Sequence, residues 1–366
     1  MSIKILIVDD SRIFRSVIEE GLSREKDIEV IGSVWNGVKA IEFINQNAPD
    51  IVTLDIQMPD MDGIETLEEI KKINARRPSS KQIGVIMLSS HTQKGADITV
   101  KALEMGAFDF TPKPESRNLK ENIGILSSQL VVKIRNYAAA HLPSAVQEKK
   151  KGKLRVFTRP FRASSAAVPV KGIEAVLIGV STGGPKALTE ILPPLCEKLD
   201  VPIFIVQHMP PTFTQSLANS LNAKCSRYRV LEGENNGIAE KNHVYIAPGG
   251  RHMVLQKKQD TIRTVIHDFP PEKGCRPSVD LLFKSAAAVY GHNVMAVILT
   301  GMGSDGTDGA KILKENNVYI IAQDEESSVV WGMPGSARNA GVVDDILPLN
   351  AIPDAIISLV GKTVSA

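Results

Sequence analysis

Three residues in the second half of the chain are of the kinds that together hydrolyse acyl bonds: Ser181, His208 and Asp305. A serine hydroxyl alone is a weak nucleophile and needs an imidazole to take its proton. The imidazole in turn needs a carboxylate to hold its tautomer and stabilise its charged form. Ser181 lies in the frame Gly179-Val-Ser-Thr-Gly183, where flanking glycines permit a sharp strand-to-helix turn that projects the hydroxyl. Helix N–H groups behind such a turn could stabilise an oxyanion. The same stretch also fits a phosphate-binding turn in which the serine is only a helix cap. His208 and Asp305 each follow an apolar run. His252, His267 and His292 are other bases, however, and Asp268, Asp280 and Asp308 are other acids, so position alone leaves the partners open.

The first half carries a different chemistry. Lys4–Val8 is apolar and runs into Asp9 and Asp10; Asp50–Leu54 runs into Asp55; Gly84–Leu88 runs into Ser89; Ala107–Pro112 runs into Lys113. Clustered carboxylates repel one another unless a cation sits among them, and Mg²⁺ prefers such oxygen ligands. A solvated acidic patch would not be expected to recur at successive strand ends together with a hydroxyl and a lysine.

These residues need elements that bring strand ends together. In the first half, apolar runs alternate with helical stretches near 12–25, 36–46, 64–74 and 95–105. From Glu174 the alternation resumes. A strand precedes Ser181 and a helix follows over 185–199; a strand ends at His208 and a helix follows over 212–222. Short strands lie near 228–231, 244–247, 253–256 and 261–266, then a helix over 277–290 and the strand Val294–Leu299. Two further strand–helix units near 318–322 and 342–347 close the chain, and no internal repeat is visible. Alternating strands and helices predict α/β domains with doubly wound parallel sheets, in which ligands sit at the C-terminal strand ends. Two such domains are expected, residues 1–125 (with a last helix from 119 to about 137) and residues 172–366.

Between them, residues 138–171 lose periodicity. Residues 141–171 have eight Lys/Arg against one Asp/Glu, whereas residues 1–140 are net −2 and residues 172–366 net −3. The overall charge of +2 therefore lives in one segment, which reads as a flexible, solvated basic linker. Neither globular part looks like a nucleic-acid binder. Cys196, Cys225 and Cys275 lack metal-type spacing and are expected to be reduced thiols. No apolar run reaches the roughly 18 residues of a membrane span, and the N-terminus enters a strand directly, so a cytoplasmic location is expected.

Residues 1–125 closely resemble two-component receiver domains, which have a flavodoxin-like fold. The resemblance implies Asp55 as phosphoryl acceptor and Asp9, Asp10, Asp55 and the Gln57 carbonyl as Mg²⁺ ligands. It implies Ser89 and Lys113 as phosphoryl contacts, a cis Lys113–Pro114 peptide, and Phe110 as the aromatic that reorients on activation. The segments Ile178–Gly184, Gln207–Pro211, Tyr245–Gly249, Arg276–Asp280, Leu299–Gly306 and Gly332–Pro334 together resemble the CheB methylesterase family of chemotaxis, here as a Rossmann-like domain. That resemblance implies Ser181 as nucleophile, His208 as base and Asp305 as orienting acid, with Thr182 and Met302 near the oxyanion. It implies hydrolysis of glutamate γ-methyl esters, and deamidation of glutamines, on chemoreceptors. A chemotaxis histidine kinase would be the phosphodonor and no cofactor beyond Mg²⁺ would be needed. The protein would be a monomer, peripheral to membrane receptor arrays. Its receiver would pack over the Ser181 rim, with the linker acting as a tether. Two rival readings are the same chemistry in a non-chemotaxis array, and a receiver-regulated binding module without activity.

Overall fold

In the computed structural model, residues 2–114, 119–142 and 172–361 are described. The expected linker lies almost wholly outside them. The first domain runs β1 (Ile3–Val8), α1 (Arg12–Leu22), β2 (Ile28–Val34), α2 (Gly37–Gln46), β3 (Ile51–Asp55), α3 (Gly63–Asn74), β4 (Gly84–Ser89), α4 (Gln93–Glu104), β5 (Asp109–Pro112) and α5 (Leu119–His141). Its five strands pair in parallel in the order β2-β1-β3-β4-β5. Every residue of β3 and β4 is buried, as expected of strands covered by helices on both faces. Polar side chains start the helices: Ser11, Asn36 and Thr92 each accept a first-turn N–H, and Asp62 with Glu65 forms a reciprocal capping box on α3.

Three features of the first domain differ from the sequence reading. Strand β2 was not expected, because an edge strand whose residues are mostly half-buried or exposed lacks the apolar run that marks its neighbours. Helix α5 continues to His141, where Tyr137 is buried and donates its hydroxyl to the Gln82 carbonyl. The expected cis bond at Lys113–Pro114 is also absent; among the described residues the cis peptide is Arg276–Pro277.

The second domain continues with β6 (Ala175–Val180), α6 (Gly184–Lys198), β7 (Ile203–Gln207), α7 (Phe213–Asn222), β8 (Arg229–Glu232), β9 (Gly237–Ile238), β10 (His243–Ile246), β11 (His252–Lys258) and β12 (Thr261–His267). It ends with α8 (Val279–Tyr290), β13 (Val294–Ile298), α9 (Thr307–Glu315), β14 (Tyr319–Gln323), α10 (Met333–Asn339), β15 (Asp345–Leu347) and α11 (Ile352–Gly361). Seven parallel strands pair in the order β15-β14-β13-β6-β7-β10-β8, and β11-β12-β9 form a small antiparallel sheet beside them. From central β6 the chain builds outward first through β7 and later, on the other side, through β13. The β6–β13 boundary is thus a topological switch point, where doubly wound sheets open a crevice. No described helix is long and apolar enough to cross a membrane.

The two domains touch. Phe110 of β5 packs its ring against Phe213 of α7, 4.5 Å between centroids. Glu104 at the end of α4 accepts Ser220 Oγ at 2.6 Å and Lys224 Nζ at 2.7 Å, and Gln93 donates to Ser216 Oγ at 2.8 Å.

Candidate active site and receiver pocket

The turn after β6 is tied down by its own backbone. Ser181 N–H donates to the Thr300 carbonyl at 3.0 Å, and the Ser181 carbonyl accepts Gly184 N–H at 2.8 Å and Gln207 Nε2 at 3.0 Å. Gly183 takes φ +81°, a left-handed conformation that favours glycine. A Cβ on Gly301 would lie 2.7 Å from Ser181 Cβ, so the β13 loop can pass the serine only as glycine.

His208 continues β7, its N–H bonded to the Val180 carbonyl. Its Nε2 stands 2.8 Å from Asp305 Oδ2. Asp305 is buried and saturated with donors: Ser278 Oγ at 2.9 Å and the N–H groups of Val279, Asp280 and Gly306 at 2.7, 3.0 and 3.0 Å. Burial alone would raise its pKa, but His208 and these N–H groups bring it down to about 2. Burial pulls His208 the other way, toward neutrality; Asp305 and the Cys275 thiol outweigh it and push the imidazole up to about 9.

The rival acids and bases are engaged elsewhere. Asp280 is held by Lys273 and the Gly309 N–H, Asp308 by Lys273 and Lys311, and Asp268 by Arg251. His252 bonds the Pro270 carbonyl, His267 stacks on Phe269, and His292 is exposed. Ser181, Thr182, His208, Cys275 and Met302 line one cavity of 360 Å³. Among the described residues no hydrogen bond joins Ser181 Oγ to the imidazole. The arrangement can carry out acyl transfer: a hydroxyl on a rigid turn, a base, and a fixed carboxylate behind the base.

Receiver residues close the other side of the same cavity, Phe108, Asp109, Phe110 and Lys133 among them. Thr182 Oγ1 donates to Asp109 Oδ2 at 3.0 Å, and Lys133 holds Asp109 Oδ1 at 2.6 Å. The sequence reading missed Ser278, Gln207, Asp109 and Cys275 as members of this site. Ser278 had a signal, its place in Arg276-Pro-Ser-Val-Asp280; Asp109 had none, because the contact crosses between domains.

In the first domain, Asp9, Asp10 and Asp55 bring carboxylate oxygens within 4.8 Å of one another. Lys113 Nζ spans Asp9 Oδ2 at 2.7 Å and Asp55 Oδ2 at 2.8 Å. Burial pushes the Asp55 carboxyl up to about 6; Lys113 opposes this and Asp9 adds to it. Gln57 and Ser90 line the pocket over Asp55. Ser89 is fully buried, and its hydroxyl bonds to Thr99, the Gly95 carbonyl and the Ser90 carbonyl, so the hydroxyl-bearing residue lining this pocket is its neighbour. Phe110 is buried at the domain interface.

Comparison with known proteins agrees with both halves. Residues 176–356 match the CheB methylesterase family and residues 5–123 the response regulator receiver domain. A protein-glutamate methylesterase/protein-glutamine glutaminase of Desulfotalea psychrophila is 40% identical, over 98% of this chain and 99% of its own.

The chain belongs to the CheB methylesterase family.

A second relative of the same name, from Trichodesmium erythraeum, is 41% identical over 98% of this chain and 99% of its own. The crystal structure of the Thermotoga maritima CheB methylesterase catalytic domain is 41% identical, with a TM-score of 0.50. It covers 52% of this chain and 99% of that one. Both relatives thus align with nearly the whole chain, and the second domain has the fold class of the solved catalytic domain.

Proposed function

We propose that Ser181, His208 and Asp305 hydrolyse glutamate γ-methyl esters, and deamidate glutamines, on the cytoplasmic part of chemoreceptors, under control of Asp55 phosphorylation. The observation that carries this reading is the His208 imidazole held 2.8 Å from a buried, fully donated Asp305, on the cavity that Ser181 lines. With Nε2 facing Asp305, Nδ1 is the nitrogen left to take the serine proton. Ser181 Oγ attacks the ester carbonyl, and the developing oxyanion would lie beside Thr182 and Met302, which line the same cavity. The imidazolium returns its proton to the departing methoxide, giving methanol. Water then attacks the acyl-enzyme with His208 again as base, and glutamate is released. A glutamine substrate follows the same course with ammonia leaving.

The Asp9, Asp10 and Asp55 carboxylates, with one lysine between them, fit a hard divalent cation, and the Gln57 carbonyl would complete the set. When bound, Mg²⁺ would neutralise the phosphoryl group as it is transferred from a histidine kinase to Asp55. Lys113 is placed to hold the phosphoryl oxygens, with Ser90 or a rotated Ser89 beside it. The receiver acts as a cover: Asp109 holds the Thr182 hydroxyl, and Phe110, packed on Phe213, couples that cover to the phosphorylation site. A chain acting as a monomer on receptor arrays needs no other partner for this.

The test is methanol release from methylated receptor membranes by the full chain, with and without a small phosphodonor. Release that rises with phosphodonor and disappears in Ser181→Ala supports the reading; undiminished release by Ser181→Ala overturns it.

A further inference from the structure

Cys275 is a free, half-buried thiol that opens on the same cavity as Ser181, and the hydrolytic steps make no use of it. A ring nitrogen of His208, Sγ of Cys275 and a carboxylate oxygen of Asp305 lie within 4.8 Å of one another. Nitrogen, sulfur and oxygen donors of these types bind Zn²⁺ tetrahedrally at about 2.0–2.3 Å, commonly with a fourth position open. Ligand atoms around such an ion stand roughly 3.3–3.8 Å apart, so admitting one needs the 2.8 Å His208–Asp305 contact to open and the sulfur to draw in, shifts on the order of 1 Å. The support such a site requires is already built, because Ser278 and three backbone N–H groups hold the Asp305 carboxylate in place. The contrast with the first domain is chemical. Asp9, Asp10 and Asp55 offer only oxygen, which suits Mg²⁺, whereas a thiolate selects a softer ion.

We propose that His208, Cys275 and Asp305 form a site for Zn²⁺ or a similar thiophilic divalent cation, and that its occupancy turns the hydrolase off. On binding, the thiol releases its proton to solvent and the sulfur lone pair goes to the metal. The imidazolium likewise releases a proton to solvent, and the nitrogen facing Asp305 gives its lone pair to the metal; the remaining ring proton then sits on Nδ1, which can no longer accept one from Ser181. The inhibition rests on His208 being the base; the binding does not.

Co²⁺ added to the full chain in excess Mg²⁺ reports thiolate ligation directly through its sulfur-to-metal absorption, with Mg²⁺ filling the oxygen-only cluster. One equivalent of Co²⁺ should give the band in the wild type. Cys275→Ser and Cys275→Ala should both lose it and bind at least tenfold more weakly, with unchanged thermal unfolding showing that they fold. Zn²⁺ should then suppress methanol release by the wild type at concentrations at least tenfold below those needed for Cys275→Ser. Absence of the band, its persistence in both variants, or equal inhibition of wild type and Cys275→Ser overturns the proposal. Failure of methanol release without any added metal would sink the hydrolase reading alone, and the cobalt band would still decide the site.

Discussion

Asp55 and Asp305 are the same residue type, one buried at the C-terminal end of a parallel strand and the other in the loop beyond one, yet burial has opposite outcomes for them. Asp55 has one backbone donor, Ile56 N–H at 2.8 Å, and shares Lys113 with a second carboxylate, so its pKa rises to about 6. Asp305 has three backbone N–H groups, a serine hydroxyl and an imidazole to itself, and its pKa falls to about 2. What a strand-end carboxylate does is therefore decided by its donors. One starved of donors is poised to be esterified by a phosphoryl group. One saturated with them is a fixed charge that orients something else.

The largest effect expected from breaking the second arrangement is at the nucleophile. Ser181→Ala should lower methanol release by about 10⁴-fold or more, with thermal unfolding unchanged because the turn keeps its backbone bonds. Ser304→Ala, on the neighbouring loop, should remain active; the reverse pattern would reassign the nucleophile. Asp305→Asn should cost roughly 10²–10⁴-fold, since an amide cannot hold the imidazole tautomer and charge. A loss below tenfold would mean that the carboxylate is structural.

The His208–Asp305 pair also makes a prediction about pH. The imidazole is raised from 6.5 to about 9, so it is charged at neutral pH and a base only above it. Methanol release by the unphosphorylated chain should rise roughly fifty-fold from pH 7 to pH 9. Over the same range the pair's contribution to stability should fall. That contribution is complete below pH 6.5, where the unfolded imidazole is also charged, and is lost as pH rises through about 9. A flat rate profile across this range would contradict the assignment.

The first arrangement is sharpened by removing its excess charge. Because the folded Asp55 pKa lies above the unfolded 3.8, ionising it opposes folding: the penalty is absent below about pH 3.8 and complete above about 6. Asp55→Asn should thus stabilise the receiver by up to about 3 kcal/mol at pH 7, less with Mg²⁺ present, and by nothing near pH 3.5. Denaturant unfolding at the two pH values measures this, and a destabilised variant at pH 7 would refute it.

The smallest expected effect lies between the regions. Glu104→Ala removes the Ser220 and Lys224 contacts without touching either site, and should raise basal methanol release a few-fold by loosening the receiver, a shift of about 1 kcal/mol. Unchanged basal release would mean that this edge of the interface does not restrain the receiver.

Much of this was legible without coordinates. Apolar runs ending in Asp9, Asp55, Lys113, Ser181 and His208 determine where the strands stop, since a buried parallel strand must be apolar and the first polar residue past it must meet solvent or ligand. Local order along the chain therefore already placed the chemistry at strand ends in two α/β domains. Edge strand β2 escaped because half-exposed edges carry no such run. The choice of Asp305 over Asp280 and Asp308 was also invisible to spacing. All three are acids near one loop, and only the fold shows Lys273 occupying the other two while the start of α8 and His208 claim Asp305. The meeting of Asp109 with Thr182, and of Cys275 with His208, was likewise left to tertiary structure. Periodicity and strand ends are properties of neighbours in sequence. Which of several like-charged side chains finds a given donor depends on contacts between residues tens of positions apart, and those exist only once the sheets have packed.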